Sequence, residues 1–390
     1  MDRGIVRRAR VAIAVTFAVH GAVSGSFATR IPWLQEHLGA GPGELGLVLL
    51  APAVGSLVTM PMVGRFAHRV GVRPATRLLI ALWCVMLALP ALAPGLALLW
   101  VTLLVYGAVA GMCDVVMNAQ GIEVEQRLGR SIMPGLHGMW SVGGLAGGAV
   151  GVAAAHAGVD ARVHLAAMAA VLLVVGAAAG SWLLDVRAPT GQDAPARFVL
   201  PSRPLLVLGA VGFCAVFGEA AAQDWCAVYL RQVTGTSPGV AAFAYTGFAF
   251  TMAAGRLGGD LVVRRVGPVV SVRLSGLLAT AGGVLVVAAR TPPPAIAGFM
   301  LIGLGVAVVV PLVFAAAGNA GRTPSEGVAG VATISYSSGF VAPSMIGGVA
   351  SVTSLPISFV LVTVAMAAVL LGAGSLARRP PAENTDRAAA

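Results

Sequence analysis

The chain has 390 residues, 58% of them hydrophobic and 10% charged, with a mean hydropathy of +0.90. An ordinary soluble domain carries about 25% charged residues, so this composition excludes a water-soluble globular protein and makes lipid the solvent for most of the chain. The net charge of +10 comes from arginines scattered between long apolar runs, which argues for membrane topology and against a nucleic-acid-binding patch.

A membrane-crossing helix needs about 20 mostly apolar residues. Twelve segments qualify, near 9–31, 44–66, 75–93, 96–120, 138–157 and 163–184, then 204–229, 239–258, 268–289, 294–318, 327–350 and 355–376. The first follows a basic stretch, MDRGIVRRAR, and has the make-up of a secretory signal. The many spans behind it favour an uncleaved first helix. The expected fold is an all-α membrane protein of twelve transmembrane helices in two six-helix pseudo-repeats. An N-terminal bundle covers 1–184, a polar cytoplasmic linker 185–203, and a C-terminal bundle with a short cytoplasmic tail 204–390.

Polar residues interrupt these spans in patterns. Residues four apart share a helix face, so Thr16, His20 and Ser24 form one line in the first span. Asp114 and Asn118 end a strip of small residues in the fourth. Asp114 reads either as a cavity-facing carboxylate for substrate or proton, or as an acid at the cytoplasmic end paired with Arg65 or Arg69. In the fifth span Gly143, Gly147 and Gly151 have the small-residue spacing that permits close helix contact. Glu219 and Gln223 pair in the seventh span, and Tyr336 and Ser337 lie in the eleventh. Intramembrane acids face protein or water by default, which makes Glu219 a cavity candidate. His20 is either a proton carrier or a packing histidine. Trp140 and Tyr336 are candidates for holding a ring, or for packing alone. The third, sixth and twelfth spans carry almost no polar residues. The four cysteines show no metal-type spacing and read as packing residues.

The arginines also orient the chain. Only Arg30, Arg162, Arg231 and Arg290 fall on the face opposite the termini; the other 21 of the 25 share the face that carries them. Positive loops stay in the cytoplasm, so both termini are expected inside. The Ala- and Gly-rich, lysine-free composition suggests a bacterial protein, hence the bacterial inner membrane. A shift of 196 residues aligns the sequence with itself. Gly39, Pro42 and Gly43 meet Gly235, Pro238 and Gly239. Arg69, Val70 and Gly71 meet Arg265, Val266 and Gly267, and Trp140 meets Tyr336. Two halves of six spans have the same orientation.

The loop GRFAHRVGVRPATR (Gly64–Arg77) resembles the signature of the major facilitator superfamily, Gly-x-x-x-Asp-Arg-x-Gly-x-Arg. Gly64, Arg69, Gly71 and Arg73 match it, with Arg65 beside them and His68 at the Asp position. The second half carries GRLGGDLVVRRVG, with Gly255, Arg256, Asp260, Arg265 and Gly267. The resemblance implies that these loops latch the halves together and that helices one, four, seven and ten line a central cavity. FATRIPWLQEHLG, MNAQGIEVEQRLGRSIMPGLHGMWSVGG and EAAAQDWCAVYL are similar to the fucose-permease-like branch of bacterial members, which implies a sugar or another small polar solute.

The expected function is secondary active transport by alternating access, with the chain working as a monomer. No GxxxxGK[ST] phosphate loop is present, so a proton bound by Glu219 or Asp114 is the expected coupling ion. Export of a drug or metabolite, or a non-transporting receptor on the same fold, are the alternatives. No HExxH or GxSxG pattern occurs; no catalytic residue, cofactor, metal or nucleic-acid partner is expected.

Overall fold

The computed structural model describes residues 3–40, 42–185, 203–236, 238–321 and 323–377. The linker between 186 and 202, Arg322, and the tail from 378 onward lie outside the described residues. The chain crosses twelve times, so it ends on the side where it starts, called here the terminal side; the opposite side is called distal.

The first span is Arg3–Ala28, followed by a short distal helix, Ile31–His37. The second is Pro42–Thr59, continued through a 3₁₀ turn into Val63–Val70. The third is Val72–Met86, the fourth Leu96–Leu128, the fifth Met133–His156 and the sixth Ala161–Gly180. The seventh is Arg203–Val233. Pro238–Ala288 holds the eighth and ninth, which divide at Gly267. The tenth is Pro292–Val306 continued by Val309–Ala320, the eleventh Pro324–Val352 and the twelfth Leu355–Gly372. By length and composition alone, ten described helices could cross a membrane. Pro238–Ala288 counts once in that ten although it crosses twice, and the eleventh span, rich in serine and glycine, is not among them.

The 196-residue repeat is visible in the backbone. Gly39 and Gly235 have φ of 62° and 66°, and Gly71 and Gly267 have 88° and 80°. Each pair lies in equivalent turns, where the left-handed region favours glycine. Gly107 lies so close to Pro52 that a Cβ would strike its backbone, and Gly303 stands in the same relation to Phe248. The second and fourth spans are thereby appressed in one half, and the eighth and tenth in the other.

Close backbone approach also joins the first and fifth spans. A Cβ on Gly143 would strike the Ala18 carbonyl, one on Gly147 the Ala22 carbonyl, and one on Gly151 the Thr29 side chain. The glycine strip expected from the sequence is this interface. In lipid, where apolar burial offers little difference between helix and solvent, such van der Waals contact is a main source of helix association.

Contacts between the halves lie at mid-depth or on the terminal side. Gln126 Nε2 donates to Asn319 Oδ1 at 2.7 Å, Arg264 to the Ser131 carbonyl at 3.4 Å, and the Gly135 N–H to Asp260 Oδ1 at 3.0 Å. Among the described residues, no hydrogen bond joins the halves distal to Tyr336 and Asp114. Gly148, Gly339 and Gly348 face open space there.

Candidate functional site

Between the halves, at mid-depth, lies a cavity of about 350 Å³. The first, fourth, seventh and tenth spans line it through Phe17, His20, Asp114, Glu219 and Val310. The second, fifth, eighth and eleventh add Ser56, His137, Trp140, Arg256 and Tyr336. Among the described residues the third, sixth, ninth and twelfth contribute nothing to the wall, in line with the apolar sequences of the third, sixth and twelfth.

Asp114 is in the cavity. The fourth span runs eight residues past the apolar run that marks it in sequence, so Asp114 lies about 21 Å from the terminal end of its helix. Its Oδ2 accepts from the Tyr336 hydroxyl at 3.1 Å and its Oδ1 from Asn118 Nδ2 at 3.2 Å. Asn118 Oδ1 in turn accepts from His137 Nε2 at 3.0 Å. The alternative of pairing with Arg65 or Arg69 is not met. Arg65 Nε is buried and donates to nothing among the described residues, and Arg69 is exposed. The Tyr336–Asp114 bond therefore joins the two halves in the cavity wall.

His20 Nδ1 accepts from Trp140 Nε1 at 3.0 Å, and its Nε2 faces the Ala110 carbonyl at 3.4 Å. These partners select the neutral tautomer with hydrogen on Nε2. The ring also stacks on Trp83 with centroids 5.0 Å apart. His20 thus fixes the indole of Trp140 in the cavity wall.

The largest departure from the sequence reading is Arg256. It groups by sequence with the terminal-side signature loop, but the eighth span continues to Gly267 and carries Arg256 about 16 Å inside. The residue is 6% exposed. Nη2 donates to Glu219 Oε1 at 2.9 Å and Nη1 to Ser141 Oγ at 3.2 Å. Glu219, which has no arginine near it in sequence, therefore has a cation across the bundle. The sequence signal for Arg256 is its position inside the otherwise apolar FAFTMAAGRL. His137 and Ser141 give no such signal: they read as the polar end of a glycine-rich span.

Gln223 and Ser337 are not brought to the cavity. Gln223 is exposed one turn distal to Glu219, and Ser337 donates to the Ile334 carbonyl of its own helix at 2.7 Å. A four-residue spacing identifies a shared face but not the direction in which packing turns it.

The signature loops lie on the terminal side. Gly71 and Gly267 make the turns, Arg73 donates to the Ser181 carbonyl at 2.6 Å, and Arg69 and Arg265 are exposed. His68 Nε2 is buried with no partner among the described residues. In the repeat register Asp260 falls opposite Gly64, not opposite His68. Asp260 caps the N-terminus of the fifth span by accepting from Gly135, while Gly64 lets the backbone of the eleventh come close, its Cβ position 3.5 Å from Glu326 Cα. Gly255 makes a similar close approach to Ala307 and Leu304 of the tenth.

The family model for the Major Facilitator Superfamily matches residues 13–347. The uncharacterized transporter y4wD of Sinorhizobium fredii is 33% identical over 354 residues, covering 90% of this chain and 93% of that protein. An uncharacterized MFS-type transporter of Yersinia pestis is 33% identical over 371 residues, with 95% and 96% covered. Among solved structures, the crystal structure of FucP in the outward conformation superposes with a TM-score of 0.76 at 13% identity, covering 95% of this chain and 99% of FucP.

Proposed function

This chain belongs to the Major Facilitator Superfamily, a family of membrane transporters for small solutes, and from that premise we propose that it is a proton-coupled secondary active transporter. The solute is small and polar, and the membrane is the bacterial cytoplasmic membrane. With the termini in the cytoplasm, as the arginine distribution favours, the terminal seal closes the inside and the cavity is open outward. Residues 1–184 and 204–390 move as two bundles joined by the linker 185–203, and a single chain suffices.

The observation that carries the coupling is the pair of carboxylates, Asp114 and Glu219, in one cavity closed on one side. No phosphate-binding loop supplies another energy source. Each acid is tied to a contact that crosses the halves: Asp114 accepts directly from Tyr336 of the opposite half, and Arg256, the partner of Glu219 in its own half, also donates to Ser141 of the other. Protonation of either acid weakens its charged hydrogen bonds. Proton occupancy and conformation are thereby linked.

The test is proton entry into proteoliposomes holding a trapped pH dye, on external addition of sugars, carboxylates and amines. At least one solute should drive proton entry. Asp114→Asn should lower that coupled entry at least about tenfold, a change of about 1.4 kcal/mol, while solute exchange without a gradient persists. Solute flux indifferent to the pH gradient, and unchanged in both Asp114→Asn and Glu219→Gln, would overturn the coupling.

A further inference from the structure

Arg256 is the one cation among the described residues that line the cavity, and its donors are incompletely used. A guanidinium presents five N–H donors in a planar fork, best matched by a carboxylate on two parallel bonds. Glu219 engages it through Nη2 alone and Ser141 through Nη1. Nε is buried and donates to nothing among the described residues. A buried donor is ordinarily satisfied, because leaving it unpaired is unfavourable. Here the unfilled donor belongs to a side chain in the wall of a solute-sized cavity. Glu219 holds only part of the fork that a better-placed carboxylate would fill.

The rest of the wall narrows the class of solute. Its other polar groups are already engaged: His20 with Trp140, Asp114 with Tyr336 and Asn118, His137 with Asn118, and the Ser56 hydroxyl with the Gly107 carbonyl at 2.6 Å. A polyhydroxylated ring needs many free donors and acceptors, and this wall has committed most of its own. What remains is aromatic and aliphatic surface from Phe17, Trp140, Phe340 and Met60. The cavity volume is near the lower end of the range for small-molecule sites, which suits a compact body.

Resting on the transporter reading above, we propose that the solute is a small organic monocarboxylate with an apolar or aromatic body, and that Arg256 binds its carboxylate by displacing Glu219. The displaced Glu219 then shares the cavity with Asp114 of the fourth span and Tyr336 of the eleventh, with His137 of the fifth and His20 of the first also on the wall. Having lost its counter-ion, Glu219 takes up a proton. One anion and one proton enter together, so the cavity's net charge is unchanged by loading. No covalent bond forms or breaks. Arg256 serves as the specificity-determining residue and Glu219 as its exchangeable partner.

The experiment uses the purified full-length chain in detergent, with binding read by calorimetry. The probes are matched sets on one ring body: phenylacetate, phenylacetamide and phenethylamine, then indole-3-acetate, indole-3-acetamide and tryptamine. The carboxylates should bind and the amides and amines should not. Carboxylate affinity should fall as the pH is raised, by at most about tenfold per unit, because binding takes up one proton. Glu219→Gln should bind carboxylates at least about tenfold more tightly at raised pH, equivalent to about 1.4 kcal/mol, and lose the pH dependence. Arg256→Gln should weaken binding by a similar factor. If Arg256→Gln fails to fold, Glu219→Gln decides the matter alone. The proposal is overturned if no carboxylate binds, if amines or amides bind better, or if Glu219→Gln leaves affinity and pH dependence unchanged. Amine binding lost in Asp114→Asn would overturn it while leaving proton-coupled transport standing; only the liposome measurement above can remove that reading.

Discussion

Arg256 and Glu219 illustrate how much a single pair can carry in a cavity of this kind. The arginine is nearly covered, while the glutamate side chain keeps about a fifth of its surface open, at 8% and 20% exposure. Breaking a covered ion pair on one side leaves an uncompensated charge, and this usually costs more than removing both partners. Arg256→Gln is therefore expected to lower the denaturation midpoint, and adding Glu219→Gln should recover part of the loss. The double-mutant cycle should give a coupling of about 1–3 kcal/mol, discounted toward the lower value because Glu219 reaches water through the open cavity. Additive single effects would mean the pair has no energetic connection. Asp114, Glu219, Trp140 and Tyr336 were legible as candidates for the cavity wall, where the structure places them, because an acid or a large polar ring stands out inside an apolar run. Arg256 was not, since its neighbours in sequence belong to a loop signature and only the length of the eighth helix separates it from them.

The same cause operates at the level of whole helices. Twelve spans and their two-fold repetition are written plainly in the apolar runs and in the 196-residue register. The ends are not, because on the terminal side the fourth and eighth helices continue past their apolar runs into segments that carry charged residues. Glu123 pairs with Arg127 at 2.6 Å on that extension. The glycine spacing in the fifth span was legible as an interface, although its partner, the first span, was not. That interface gives a sharp comparison. Gly143→Ala places a methyl against the Ala18 carbonyl, so the two helices must separate and strain the His20–Trp140 bond beside them. A loss of about 1–3 kcal/mol is expected from overpacking. Gly148→Ala, one turn away and facing open space, should be neutral or gain up to about 1 kcal/mol from helix propensity. Denaturation midpoints of the two variants check this; equal midpoints would mean that the first and fifth helices are not held by backbone contact.

For the molecule as a whole, the proposed alternating access makes the arrangement held by the inter-half contacts one of two states. Gly135–Asp260, Gln126–Asn319 and the approach of Gly64 to Glu326 close the terminal side, while the distal side has no such bonds among the described residues. If transport requires the opposite state, these contacts must break in each cycle, and their total strength has to remain small enough for the equilibrium to reverse. Holding them shut should therefore stop transport without destroying the site. Cysteines at Gln126 and Asn319, joined by a short bis-methanethiosulfonate reagent, should abolish solute flux in proteoliposomes, and a reducing agent should restore it. Native Cys84, Cys113 and Cys226 are buried, so the reagent is directed to the introduced pair and, if needed, Cys214 is replaced by Ala. Because the cavity stays open distally, the cross-linked protein should still bind ligand from that side with an affinity within about threefold of the uncross-linked chain, less than about 0.7 kcal/mol. Transport continuing through the cross-linked protein would mean that the terminal seal is not a gate, and the halves would then have to pass solute by some motion that leaves Gln126 and Asn319 together.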